Sequence, residues 1–327
     1  MPAWLLRRIL SCLLLVFVLA SVVFFAVHLA PGEPRGVQAL SEHLTDQDRE
    51  LIRARYGLDR PLLVRYGQWL GGLPRGDFGW SLAQQRPVGR MLGEALGPTL
   101  LLTVAAYALH LLLAVGTALA MAARRGGVVE HLLRGAGLAL YSVPTFWLGL
   151  LLLLVAGRGL GWLPLGGMHA PDAAFLPPVA RLLDLLRHLV LPVLTLALGT
   201  FMGTARYLQA SLDEVLGQDY ITAARARGIG EGTILRRHAL RNALLPVITL
   251  GGLQLPALLG GAVAVETVFS WPGMGRLTVE ALWARDYPVI MATTVLAATA
   301  VVAGSLLADL LYHRADPRVR RPQGSKP

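Results

Sequence analysis

PTLLLTVAAYALHLLLAVGTALAMAA, residues 98–123, contains no Asp, Glu, Lys or Arg in twenty-six positions. Wound as an α-helix at about 1.5 Å per residue, it reaches about 39 Å, enough to cross a hydrocarbon core of about 30 Å. Five further windows are nearly as free of charge: 9–30, 135–157, 189–208, 244–265 and 287–312. The composition agrees. With 54% hydrophobic and 15% charged residues over 327 positions, the chain lies far from the roughly 25% charge of a soluble domain. Collagen-like, disordered and disulfide-rich secreted classes are excluded too, since the one cysteine, Cys12, has no partner in the chain. The expected fold class is all-α integral membrane, with six transmembrane helices.

Window 9–30 follows Arg7 and Arg8, as the apolar part of a signal peptide would, but such a core is about 7–15 residues long. This one is longer. It also ends in Val27-His28-Leu29-Ala30-Pro31-Gly32 without a small-x-small pattern, so an uncleaved first helix is expected. The 36 glycines, several inside the windows, suit close helix contact in lipid. Pro98, Pro192 and Pro246 are expected in first turns, where a missing N–H costs little. Stretches 191–196 and 245–250 echo each other, with no convincing repeat elsewhere.

Basic residues set the orientation. Of the 30, 16 fall on the side holding both termini. Nine lie in the long segment 31–97, which translocates largely regardless of charge, leaving 5 in the short segments of the other side. Both termini are expected in the cytoplasm. The expected organisation is 1–30, N-terminus and first helix; 31–97, an extracytoplasmic loop with short helices, one starting at Thr45-Asp46-Gln47-Asp48; 98–312, a five-helix core; and 313–327, a cytoplasmic tail.

No HExxH, Gly-x-Ser-x-Gly, metal-spaced Cys/His set or Gly-rich dinucleotide turn occurs. The only lysine is Lys326, so no Walker A lysine exists, and a role needing ATP must borrow a nucleotide site from another chain. No catalytic, cofactor-binding or metal residue is assigned, and no nucleic-acid partner. The informative segment is cytoplasmic, 209–243. Asp219 can cap a short helix, Tyr220 to Arg227, that stops at Gly228, and a second helix restarts at Gly230 and Thr233. Ala223, Ala224 and Ala226 beside Arg225 and Arg227 would let another protein approach the backbone while arginines meet acidic groups. A basic helix resting on anionic headgroups has the same composition.

Asp219-Tyr220-Ile221-Thr222-Ala223-Ala224-Arg225-Ala226-Arg227-Gly228, followed by His238-Ala239-Leu240-Arg241-Asn242-Ala243-Leu244-Leu245-Pro246, closely resembles the EAA loop of ABC-importer permeases. The peptide/nickel permease family, in the subunit type with a long first outer loop, is resembled over nearly the whole chain. Tyr56 to Leu62, Gly76-Asp77-Phe78-Gly79-Trp80-Ser81, Pro144 to Gly149, Glu266 to Gly275, Arg285-Asp286-Tyr287-Pro288 and Asp316 to Arg320 fall in the family's order. Thr222 stands where the wider pattern has glutamate, as in the peptide branch. The resemblance implies a type I importer permease fold. It makes the short helix (Asp219, Tyr220, Thr222, Ala223, Ala224, Arg225, Arg227, Gly228) a coupling helix seated on an ATPase subunit. It further implies a second permease, two ATPase subunits carrying ATP and Mg, an extracytoplasmic solute-binding protein, and location in a bacterial or archaeal inner membrane.

Ionisable or polar groups inside spans point to function or to interhelical bonds. His110, Gln254, Glu266 and Trp271 are the candidates for the translocation path. Trp271 reads as an interfacial belt residue before a turn, against a role in an outer gate; His110 reads as an interhelical bond, against pore lining; and His28 and Asp309 lie near span ends. A proton-coupled carrier using intramembrane His and Asp, and a non-transporting membrane scaffold, are the competing functions.

Overall fold

The computed structural model describes residues 3–29, 60–244, 247 and 262–315. Its named helices are α1 (Ala3–Leu29), α2 (Leu62–Gly72), α3 (Val88–Ala123), α4 (Val128–Ser142), α5 (Thr145–Leu152), α6 (Pro178–Leu216) and α7 (Asp219–Ala226). After these come α8, opening at Glu231–Thr233 and running to residue 244, α9 (262–268), α10 (Met274–Ala284) and α11 (Tyr287–Ala315). Among the described residues four helices are long and apolar enough to cross a membrane, or five if the bent pair α4–α5 forms one span. Window 244–265, the remaining expected span, lies mostly outside the described residues, as do the loop helix expected from Thr45 and the proline at 246.

Three expectations about the spans are corrected. Helix α3 begins at Val88, so Pro98 lies inside it, and α6 begins at Pro178, with Pro192 also in the interior. Their added turns carry Arg90, Glu94, Asp184 and Arg187, which hydropathy reads as loop. At about 1.5 Å per residue these helices of 36 and 39 residues extend to about 54 and 58 Å, well past the apolar core. The third correction is the window 135–157, which is not one rod: α4 and α5 meet at 103°. Val143 and Pro144 are extended there (ψ 128° and 133°), because a proline pushes its predecessor out of the helical region and brings no N–H of its own.

The chain divides into two compact units. One comprises residues 1–99 and 272–302. Its core joins the first turns of α3 (Val88, Met91, Leu92, Ala95) to Leu277 and Ala281 of α10 and Val289, Ile290 and Ala292 of α11. At the foot of α11 the carboxylate of Asp286, 2% exposed, accepts the Ser81 hydroxyl at 2.5 Å and the Leu82 and Ala83 N–H groups, both at 3.1 Å. Three donors on one buried carboxylate hold segment 79–88 in place. Thr99 in turn accepts the N–H of Met274 at the start of α10 (2.7 Å). Phe24 and His28 of α1 stack at 4.1 Å, and Phe24 also meets Tyr66 and Trp69 of α2. Most of α1 is bare: 11% of its most apolar stretch is buried, against 33–39% for α3, α6 and α11.

The other unit comprises residues 100–271 and 303–327. Here α6 is the central element, packed on α4 and α5. Gly137 of α4 allows the approach, since a β-carbon there would stand 2.3 Å from Sδ of the buried Met202. A second cluster gathers Leu102 and Ala106 of α3, Leu191 and Leu196 of α6, and Val265, Phe269 and Trp271.

Candidate functional site

Helix α7 is a two-turn helix with one anchored and one open face. Ile221 and Ala224 are buried and pack with Ile234, supported by Leu216 and Ile229. The intervening Thr222, Ala223, Arg225, Ala226 and Arg227 are exposed, as is Tyr220. A spacing of three places the two apolar residues on one stripe and turns the alanines outward. The cap differs from expectation. Gln218, extended at φ −79° and ψ 151°, occupies the N-cap, and Asp219 is the first helical residue, where its charge faces the helix's positive end without bonding as a cap.

The C-terminus matches the glycine signal. Gly228 has φ +78°, its N–H donates to Arg225 O (2.9 Å), and the N–H of Ile229 reaches back to Ala224 O (3.3 Å). This paired closure is the Schellman arrangement, with Ile229 supplying its usual apolar contact. The chain then re-enters a helix at Glu231, and residues Ile234–Ala239 form a π-turn before α8 continues.

Two side-chain links bind α7 to α8, and periodicity showed neither. Asn242 donates to the Tyr220 hydroxyl at 2.7 Å, so the two halves of the loop motif touch through their polar residues. Arg225 Nε donates to Glu231 at 2.6 Å, committing to its own chain a guanidinium expected to meet a partner. Arg227 donates to Ala223 O on its own helix. The Arg225 hydrogen bond holds the Glu231 carboxyl below its ordinary value. Since the folded value is the depressed one, the pair's contribution is complete above about pH 4.3 and is lost as the pH falls through the lower folded value. The protection factors of the amides in residues 225–233, that is, exchange corrected for its intrinsic pH dependence, are therefore expected to be constant through neutral pH and to fall only below about pH 4.

Upstream, at the end of α6, Gln209 and Asp213 connect to the turn between α3 and α4. Glu130 accepts the Gln209 amide (3.0 Å), the Gly126 N–H (2.8 Å) and Arg134 (2.5 Å), and Arg125 pairs with Asp213. In the sequence Glu130 carries no signal beyond being an acid beside a basic cluster.

The intramembrane candidates are interior. His110 is 1% exposed, with Nδ1 2.8 Å from the Thr200 hydroxyl and Nε2 3.0 Å from that of Thr204, so it ties α3 to α6. Glu266 and Trp271 are fully buried, and the Trp271 N–H bonds Glu266 O. Trp271 therefore sits in the apolar cluster around Phe269 rather than in an interfacial belt. None of the three reaches the surface of the chain in this conformation. Gln254 lies outside the described residues.

Comparisons with known proteins place this architecture in a family. Residues 89–321 match the model for the binding-protein-dependent transport system inner membrane component, and residues 1–103 match that for the N-terminal part of the membrane component of such systems. The chain belongs to this family of permease subunits. It is 38% identical to the oligopeptide transport system permease protein AppB of Bacillus subtilis, over 98% of this chain and 99% of that one. It is 35% identical to the glutathione transport system permease protein GsiC of Escherichia coli, over 97% and 98%. In fold it is similar to a chain of the MetNI methionine ABC transporter in inward-facing form, at a TM-score of 0.54 and 17% identity, covering 69% of this chain and 96% of that one. The fold is that of a type I ABC importer permease.

Proposed function

We propose that this chain, paired with a second permease, forms the passage through which an ATP-driven importer moves peptides or a related small solute, with α7 as the element that receives the ATPase stroke. The observation that carries the coupling role is the construction of α7. One face is anchored by Ile221 and Ala224, the end is closed by Gly228, the side is tied by Tyr220 to Asn242, and the open face is lined by small side chains. A surface meant to transmit force must be rigid relative to its own chain and accessible to another, and this helix is both. The names of the two relatives at 35–38% identity support peptides, glutathione included, as the solute class.

In this reading both termini are cytoplasmic, and two ATPase subunits bind ATP and Mg below α7. A solute-binding protein delivers from the outer side, and α1 faces lipid at the periphery while later spans meet the second permease. Gln254, among the glycines of window 244–265, is retained as a lining residue. His110, Glu266 and Trp271 act from behind the passage wall.

Reconstitution tests the reading. In liposomes, uptake of a labelled dipeptide is expected only when ATPase subunits, second permease, binding protein and ATP are all present. Uptake by the chain alone under a proton gradient would overturn it in favour of a secondary carrier. A finer expectation concerns the loop tie: Asn242→Leu removes the Tyr220 bond at an exposed site, a loss of about 0.5–1.5 kcal/mol that leaves folding intact. ATPase activity should then continue with several-fold less transport per ATP, measured by hydrolysis and uptake in the same vesicles.

A further inference from the structure

In the unit formed by residues 1–99 and 272–302, a cavity of about 290 Å³ opens between the start of α3 and the start of α10. Two ion pairs line it: Arg86 with Glu94 and Arg276 with Glu280, each at 2.7 Å and each partly exposed. Between them the wall is apolar, with Met91, Ala95 and Leu277. Surface ion pairs are common and by themselves report little. Two further features set this pair of pairs apart.

The first is Arg86 itself. Its Nη2 donates to Glu94, but its Nε is buried with no acceptor among the described residues. A guanidinium offers five donors in a fixed fork, and a buried N–H left without an acceptor is rare enough in native proteins to need a reason. The second is charge balance. Two arginines and two glutamates on one cavity give a wall that holds both signs of charge and no net charge, which disfavours a simple anion or cation and favours a molecule carrying both signs. The exposed pairs can exchange their internal partner for a ligand's carboxylate and ammonium, and Arg86 Nε can donate to that same carboxylate.

We propose that this cavity is a binding subsite for small zwitterionic solutes, with Arg86 taking the carboxylate, Glu280 or Glu94 taking the ammonium, and the Met91–Leu277 wall covering a short apolar body. The subsite rests on the importer reading above, which puts this end of α3 and α10 on the outer side. It adds a solute-contacting station on the permease itself, before the passage.

The test uses dialanine as the probe and the full chain in phosphatidylcholine nanodiscs, with binding followed by saturation-transfer NMR and calorimetry. Dialanine is expected to bind, while dialanine amide and N-acetyl-dialanine bind at least ten-fold more weakly. Arg86→Gln should weaken dialanine at least ten-fold, and Glu280→Gln, at an exposed position that leaves the fold untouched, should selectively abolish the advantage of the free ammonium. Equal binding of all three compounds, or full binding by a well-folded Arg86→Gln protein, overturns the subsite. The same variants in the complete transporter separate the two ideas. Arg86-independent uptake of dialanine refutes the subsite and keeps the importer, whereas Arg86-dependent binding with no uptake under any condition refutes the solute assignment and keeps the subsite.

Discussion

Replacing Asp286 with leucine is expected to destabilise the unit formed by residues 1–99 and 272–302 by about 3–5 kcal/mol, because it strands three donors at once. The Ser81 hydroxyl is fully buried and the Leu82 N–H nearly so, and neither has water to turn to when the carboxylate is gone. Leucine is bulkier than aspartate, so no cavity is left, and crowding at this buried site adds to the cost of the unsatisfied polar groups. Asparagine is the discriminating control. Its amide oxygen can still accept from a backbone N–H, but its amide nitrogen is a donor facing donors, so an intermediate loss is expected. Chymotrypsin cleavage after Trp80 in membrane vesicles gives the readout: it should rise in the order wild type, Asp286→Asn, Asp286→Leu. Equal protection in all three would mean that the knot is incidental to the loop.

The second large effect belongs to Gly228. At φ +78° a β-carbon is disfavoured by about 1–2 kcal/mol, and a β-branched side chain by more. Nothing lies within 4 Å of the β-carbon position, so the penalty is one of backbone and not of collision. Gly228→Val should therefore open the Schellman closure, free Ile229 from the Ile221–Ala224 cluster, and let the end of α7 fray. Insertion in the membrane should be unchanged and transport per ATP should fall at least ten-fold. Gly228→Asn, which tolerates the left-handed region, should recover much of it. Full coupling in the valine variant would remove α7 from the coupling role.

The apolar windows, the loop helix ending at Gly228 and the family itself were legible because each is written locally, in runs of uncharged residues or in contiguous motifs. What escaped has a physical pattern. Helices α3 and α6 outrun their apolar windows because a helix needs hydrophobicity only where it meets lipid, and Arg90 or Asp184 costs nothing beyond that. Pro98 reads as a first-turn residue because a proline there and a proline deep in a long membrane helix look alike in sequence. Pro144 was visible but outweighed by leucines on both sides, although its restriction on Val143 is what breaks the window. Asp219 and Gln218 are adjacent polar residues, and which one caps is decided by the entry angle of the chain. The ties from Tyr220 to Asn242 and from Ser81 to Asp286 join residues whose motifs were both recognised, yet a single sequence carries no sign that the motifs touch. The burial of His110, Glu266 and Trp271 was equally out of reach, since it depends on helices packed around them.

The knot at Asp286 also has a consequence for how the protein is made. Ser81 and its acceptor are 205 residues apart in the chain. At about 5–20 residues per second, a ribosome takes roughly 10–40 s to travel from one to the other. Throughout that interval segment 79–88 has been synthesised and its closing group has not, so the loop waits, unfinished and open to quality-control proteases. Pulse-labelled chains should accordingly show protection of this segment only after α11 has been inserted, which makes completion of this unit a late checkpoint in assembly.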